Sequence, residues 1–205
     1  MSVQKLFLDH RNVEVLKSFN SELSPEGFSL VSDDYKDFLK LSNGGYFFGS
    51  SLHLFGISST FTYHDITFQN TFIHELYRDL TKGLVFFGED LFGNLYAMEN
   101  GNYCLFNIET AERTKLALNF DGWLEIIHAD VDYYTGRALL PQGLEKSRLS
   151  EGHRYATKVP IILGGDFKHD NLVVKKADEN LRFNADIAHQ VYGLPDGTKI
   201  KIKFK

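Results

Sequence analysis

The stretch NLYAMENGNYCLFNI, residues 94–108, limits the possible folds more than any other. Two apolar, aromatic runs flank Glu99-Asn100-Gly101-Asn102, and Asn-Gly is the strongest short signal for a tight β-turn. Both residues tolerate the positive φ such a turn demands. The run is therefore read as a hairpin of two strands. Its neighbours are read the same way: GLVFFG (83–88) as a buried strand, YFFGSSLHLFGI (46–57) as a strand pair around a Gly-Ser-Ser turn, and a further strand near TKLAL (114–118). The 18 Phe and 10 Tyr against 2 Met fit packed sheets better than a plain helical bundle.

Helical spacing alternates with these strands. VEVLKSFNSEL (13–23) sets Val13, Leu16 and Phe19 on one stripe, and Ser24-Pro25 ends it. In SDDYKDFLKLSNGG (32–45), Ser32 or Asp33 can cap the start, Tyr35, Phe38 and Leu39 form the apolar face, and Asn43-Gly44-Gly45 stops the helix. From Asp65 to Leu80, the residues Ile66, Ile73, Leu76, Tyr77 and Leu80 fit another stripe. NFDGWLEIIHADVDYYTG (119–136) reads as a helix capped by Asn119 and closed by Gly136, with Phe120, Trp123, Leu124, Ile127 and Val131 inward. This order predicts an α+β fold: helices packed against an antiparallel or mixed sheet, with a C-terminal strand-helix-strand extension.

Three segments follow from the pattern. Residues 1–140 form the main domain. Residues 141–157 are polar and aperiodic and read as a linker or surface loop, and residues 158–205 as a small α/β extension. In the extension, VPIILGG (159–165) and NLVVKKA (171–177) read as strands, and NADIAHQVYG (184–193) as a helix with Asn184 as cap and Gly193 as stop. After a turn at Pro195-Asp196-Gly197, a last strand is expected to turn Lys199, Lys201, Lys203 and Lys205 to water.

The net charge of −5 hides a split: residues 1–144 carry −9 and residues 145–205 carry +4. An acidic body repels phosphates, which argues against nucleic acid and favours a basic protein partner, or else a solvated surface that aids solubility. The N-terminal residues contain no long apolar stretch, so no signal peptide or membrane span is expected there, and the expected compartment is the cytoplasm. The single cysteine, Cys104, lies mid-strand and reads as a buried thiol.

FGEDLFGNLY (87–96) looks most like a binding loop, with acids between two glycines. A calcium loop beginning at Asp90 would need ligands at Phe92 and Asn94 and a closing Glu where Gly101 stands, so that pattern fails. A phosphate loop opens a helix, whereas this turn opens a strand. The expectation is a tight strand connection with Glu89 and Asp90 on its solvent side. The eight histidines show no zinc-ligand spacing. Ser50 and Ser51 lack a nucleophile elbow, and Cys104 has no basic neighbour to activate it. No catalytic residues, metal or cofactor are expected.

Taken in order, YKDFLKLSNGGYFFGSSLHLFGI, GLVFFGEDLFGNLYAME and ALNFDGWLEII resemble the SUKH superfamily of Smi/Knr-like domains, over roughly residues 12–135. The matching positions are Leu39, Asn43, Gly44, Gly45, Phe87, Gly88, Asp90, Gly93, Phe120 and Trp123. The resemblance implies that Asn43, Gly44, Gly45, Gly88, Gly93 and Trp123 are structural. Bacterial members are largely immunity proteins that neutralise a toxin, often a nuclease or deaminase, and yeast members regulate cell-wall synthesis and signalling. Neither group has a catalytic residue set. The expectation is thus a non-enzymatic immunity protein that masks a basic toxin, with Glu89, Asp90, Tyr96, Glu99 and Tyr103 as candidate contacts. The alternatives are a scaffold or regulator of cell-wall synthesis and, more remotely, a small-molecule-binding enzyme, which would need a deep pocket of convergent acids.

Overall fold

A computed structural model describes residues 3–13, 25–58, 62–144, 149–195 and 197–203. The main body runs α1 (Val3–Leu8), β1 (Arg11–Val13), α2 (Pro25–Leu30), α3 (Asp33–Leu41), β2 (Gly45–Phe47), β3 (Leu52–Leu54), α4 (Ile66–Tyr77), β4 (Val85–Glu89), β5 (Leu95–Glu99), β6 (Asn102–Phe106), β7 (Arg113–Ala117), α5 (Phe120–Ala129) and α6 (Val131–Tyr134). Beyond it lie β8 (His153–Thr157), β9 (Leu172–Lys176) and α7 (Ala177–Val191). Strands β1 to β7 form one antiparallel meander in chain order, and β8 and β9 form a separate two-stranded ribbon. The α+β class with a C-terminal extension of strands and helix is as expected. Of the helix expected at 13–23, Val13 ends β1 instead, and the rest lies outside the described residues, as does part of the Pro195-Asp196-Gly197 turn.

The hairpin forms where Asn-Gly placed it. Glu99 pairs with Asn102, and Asn100 and Gly101 take φ of 49° and 77°. Neighbouring side chains on a strand point to opposite faces, and Phe86 and Phe87 use both. Phe87 meets Trp123 of α5 at 5.0 Å between ring centroids and Tyr35 of α3 at 5.3 Å. Phe86 meets Phe106 at 5.6 Å, and Phe106 meets Tyr77 of α4 at 5.2 Å. Helices therefore cover both faces of the sheet.

Side-chain amides complete the backbone pairing where strands run out. Asn70 of α4 donates to the Phe86 carbonyl and accepts from the Phe86 amide, each at 2.8 Å. Asn43 does the same for Ile57, at 2.8 and 2.7 Å, so this residue joins two segments as well as ending α3. Gly44 follows at φ +71°, where a Cβ would sit 2.5 Å from the Leu54 carbonyl oxygen. Asn119 caps α5 by accepting from the Gly122 amide, as its sequence position predicts. Ser32 occupies the cap position of α3 but makes no capping bond; its hydroxyl pairs with Asp34 and Tyr103. Asp34 also accepts from Tyr103 and from the Phe120 amide, tying α3 to β6 and α5.

The C-terminal part departs from expectation in four places. Residues 153–157, read as linker, form β8, and four of the five are buried against the main body. VPIILGG is not a strand. Ile161–Leu163 form a 3-10 turn, and the chain folds back so tightly that a Cβ at Gly165 would lie 1.9 Å from the Val159 carbonyl. Helix α7 begins at Ala177, so Asn184 is mid-helix and bonded to Asn180 rather than capping. The helix extends because Leu181, Ala185 and Ala188 share one face and enter the main core. Gly193, at φ +75°, follows its end as expected. Lys199, Lys201 and Lys203 alternate as in a strand but form none, since alternation needs an open partner edge. Instead the Gln190 side chain brackets the Lys203 backbone at 3.0 and 2.9 Å.

Replacing Gly44 with Ala should cost at least about 2 kcal/mol, from backbone strain plus the close approach to Leu54. Urea unfolding of wild type and variant measures it.

Candidate functional site: a buried charged network beneath the acidic turn

Strand pairing places His53 of β3 opposite Glu89 of β4, and their side chains meet at 2.9 Å, Nδ1 to Oε1. The Tyr63 hydroxyl donates to the same carboxylate oxygen. Arg154 of β8 brings its Nη2 to 2.6 Å from it. The guanidinium lies 5.1 Å over the Tyr46 ring, which stacks on His53 at 4.4 Å. His53 Nε2 faces His64 Nδ1 at 2.9 Å, and His64 Nε2 reaches Glu151. One polar chain thus runs from Arg154 and Glu89 through two histidines to a glutamate at the surface.

Glu89 and Asp90, expected on the solvent side of the turn, are instead buried, at 1% and 4% exposed. Locally the turn looks like a surface loop, but β8 lies across it, the Tyr155 amide donating to the Leu91 carbonyl at 3.1 Å. Gly152 adds a bond from its amide to the Tyr46 hydroxyl at 3.0 Å.

Burial opposes charge on Glu89, yet the Arg154 cation and the His53 and Tyr63 donors hold its pKa below the usual value. Burial pushes His53 down to about 4 despite Glu89 beside it. A neutral His53 facing a carboxylate carries its proton on Nδ1. Burial also works against the Arg154 charge, but Glu89 more than compensates and its pKa rises. Arg154 Nη1 donates to the His153 carbonyl, whereas Nε has no hydrogen-bond partner among the described residues and Nη2 meets Glu89 by ion-pair distance alone. Asp90 shapes the turn: Oδ1 accepts from the Phe92 and Asn94 amides, Oδ2 from the Asn94 side chain. Even so, burial raises it to about 6.

The other candidate contacts are spread out. Tyr96 is buried and its hydroxyl donates to the Tyr134 carbonyl. Tyr103 is buried and donates to Asp34 at 2.8 Å. Four of the five candidates therefore offer no surface to a partner, because strand periodicity says which residues share a face but not what covers it. Glu99 alone stays partly exposed, paired with Arg113. Of the family positions, Gly88 lets β3 approach, since a Cβ there would lie 2.7 Å from the His53 carbonyl; Gly93 turns the chain at φ +86°; and Trp123 is fully buried. Sequence reasoning missed His53, His64, Tyr46, Tyr63, Glu151 and Arg154, and no local motif marks them.

What this arrangement can do is join segments. Neither the 260 Å³ cleft nor the 140 Å³ cleft is lined by His53, Glu89 or Arg154. The larger cleft carries a single acid, Glu109, rather than converging acids. Among the described residues, no group of three or more His, Cys, Asp or Glu is placed to hold a metal, and no helix is long and apolar enough to cross a membrane. Burial lifts the Cys104 thiol to about 11, unfavourable for a nucleophile.

Compared with known proteins, residues 14–126 match the SMI1 / KNR4 family model (SUKH-1). No curated protein matches the chain by sequence. Among solved structures, that of Atu4351 from Agrobacterium tumefaciens is similar at a TM-score of 0.58 and 14% identity, over 80% of each chain. At that identity the likeness concerns the fold alone.

Two outcomes follow from the network. Arg154→Met should destabilise by about 3–5 kcal/mol, because Glu89 is left buried without its cation, and adding Glu89→Gln should recover a large part of that loss; a double-mutant cycle by chemical denaturation measures both. Asp90 has a raised pKa in the folded state, so its contribution is fully present below about pH 4 and lost as pH rises through about 6. Relative to wild type, Asp90→Asn should therefore gain about 3 kcal/mol between those pH values. Unfolding curves at stepped pH give the difference.

Proposed function

We propose, from the premise that this chain belongs to the SMI1 / KNR4 family (SUKH-1), that it is a non-enzymatic immunity protein that binds and neutralises a cognate bacterial toxin. The family match over more than half the chain is the observation that carries this reading. The toxin would be a basic protein, a nuclease or deaminase, and neutralisation would consist of covering its active surface. The −9 charge of residues 1–144 supports that choice of partner.

Since Glu89 and Asp90 are internal, the acids that meet the partner must be others. The outer side of α5 and α6 presents Asp121, Glu125, Asp130 and Asp132 to solvent. Beside them in the chain, Leu118 and Tyr133 are 69% and 70% exposed. Exposed carboxylates steer a basic partner, and a large exposed aromatic gives it apolar area to bury. Glu99 is the member of the original set that can still contribute.

Co-expression with the product of an adjacent toxin gene should restore growth and yield a stable complex. A toxin that still kills when this protein is fully expressed would refute the reading for that partner. Reversing charge at Asp121→Lys with Glu125→Lys should slow association by about tenfold at low salt, the effect fading as salt rises, as followed by stopped-flow or surface plasmon resonance.

A further inference from the structure

Between the main sheet and the C-terminal ribbon lies a half-open cleft of about 260 Å³ that the charged network and the α5–α6 acids do not use. The main body supplies Phe92 and Glu109, β8 supplies Tyr155 and Thr157, and α7 supplies Asn180 and Asn184. Three aromatic rings line it: Phe92 meets Phe167 at 5.0 Å and 67°, and Tyr155 at 6.2 Å and 45°.

The polar groups in this cleft are unevenly used. Asn180 donates to the Phe92 carbonyl at 3.0 Å. The Asn184 amide nitrogen is spent on the Asn180 carbonyl and side-chain oxygen, both at 3.0 Å. This leaves Asn184 Oδ1 without a partner among the described residues, and the Thr157 hydroxyl has none either. Both side chains are at least nine-tenths buried, at 5% and 9% exposed. Neither atom is among the sealed, unpartnered polar atoms of the described residues, so an acceptor and a hydroxyl stand open to the cleft and available to an occupant.

The charges on the wall narrow the occupant's chemistry. No Lys or Arg lines the cleft, so a phosphate or carboxylate would find no counter-charge. The one charged lining residue, Glu109, uses both oxygens on the Ile161 and Ile162 amides at 3.2 and 2.9 Å. It would repel an anion. The volume falls below the roughly 300–1,000 Å³ of pockets for drug-sized ligands. Aromatic walls favour a flat ring, and Asn184 Oδ1 offers an acceptor to an N–H donor on its edge.

We propose that this cleft binds a small, uncharged, planar heterocycle of the nucleobase class, its ring against Phe92, Tyr155 and Phe167 and its donor–acceptor edge read by Asn184 and Thr157. The site is separate from the partner surface proposed above and stands whether or not a toxin is bound.

Titrating the 15N-labelled chain with uracil, cytosine, adenine and hypoxanthine, followed by amide chemical shifts, tests the proposal. The expected result is saturable shifts at residues 155–157 and 180–184 for at least one base, with its 5′-monophosphate binding roughly tenfold more weakly because of the uncompensated charge. Thr157→Val keeps the shape and should weaken binding by about fivefold, the worth of one hydrogen bond. Leu139→Trp, at an exposed lining position, should fill the cleft and abolish binding while the spectrum elsewhere stays native. Absence of saturation with all of these bases would overturn the proposal. So would unchanged affinity in both variants, or a monophosphate that binds as tightly as its base.

Discussion

Burying a carboxylate in a protein interior costs several kcal/mol unless a cation meets it there, and Glu89 imposes that condition on this chain. The Arg154 side chain satisfies it from 65 positions further along. A buried ion pair adds little net stability over a well-packed apolar alternative, so its main consequence is positional. Apolar surfaces tolerate sliding, whereas a guanidinium 2.6 Å from one carboxylate oxygen does not. Once Arg154 is placed, Gly152 reaches Tyr46, Tyr155 reaches Leu91, and β8 closes the turn at 90–94. The aromatic cleft between the main body and the C-terminal elements depends on the same placement.

The rest of the main body is organised around a sheet covered on both faces. Phe86 and Phe87 divide their contacts between α4 and the α3–α5 side. Where strand pairing stops, Asn43 and Asn70 replace it with side-chain amides that donate and accept at once. That explains Asn-Gly-Gly after α3 better than a helix stop does: the asparagine holds Ile57, and Gly44 allows the approach to Leu54 that this bond requires. Family membership therefore has a physical content here, a set of close backbone contacts that accept few substitutions.

The acidic surplus of the body is smaller at the surface than in the sequence. Glu89 is spent on Arg154, and Asp90 holds its own turn with a raised pKa. A partner of opposite charge would meet instead the exposed acids of α5 and α6, near side chains as open as Leu118 and Tyr133. A count of acids along a chain thus overstates the charge at the surface, because burial decides which acids remain there.

Sequence alone determined the elements whose signals lie within a few residues. These are the Asn100-Gly101 hairpin, the Asn119 cap, the stop at Gly193 and the family motifs between Asn43 and Trp123. Turn preference, capping and side-chain periodicity act over one or two turns of chain, so a short window contains their cause. The fate of each polar residue was decided only in three dimensions. Glu89, Tyr96 and Tyr103 went inside, β8 formed within an expected linker, α7 began seven residues before Asn184, and Lys199, Lys201 and Lys203 found no strand edge. Each outcome depends on which distant segment covers the residue or lies open beside it, and that is a property of the packed chain.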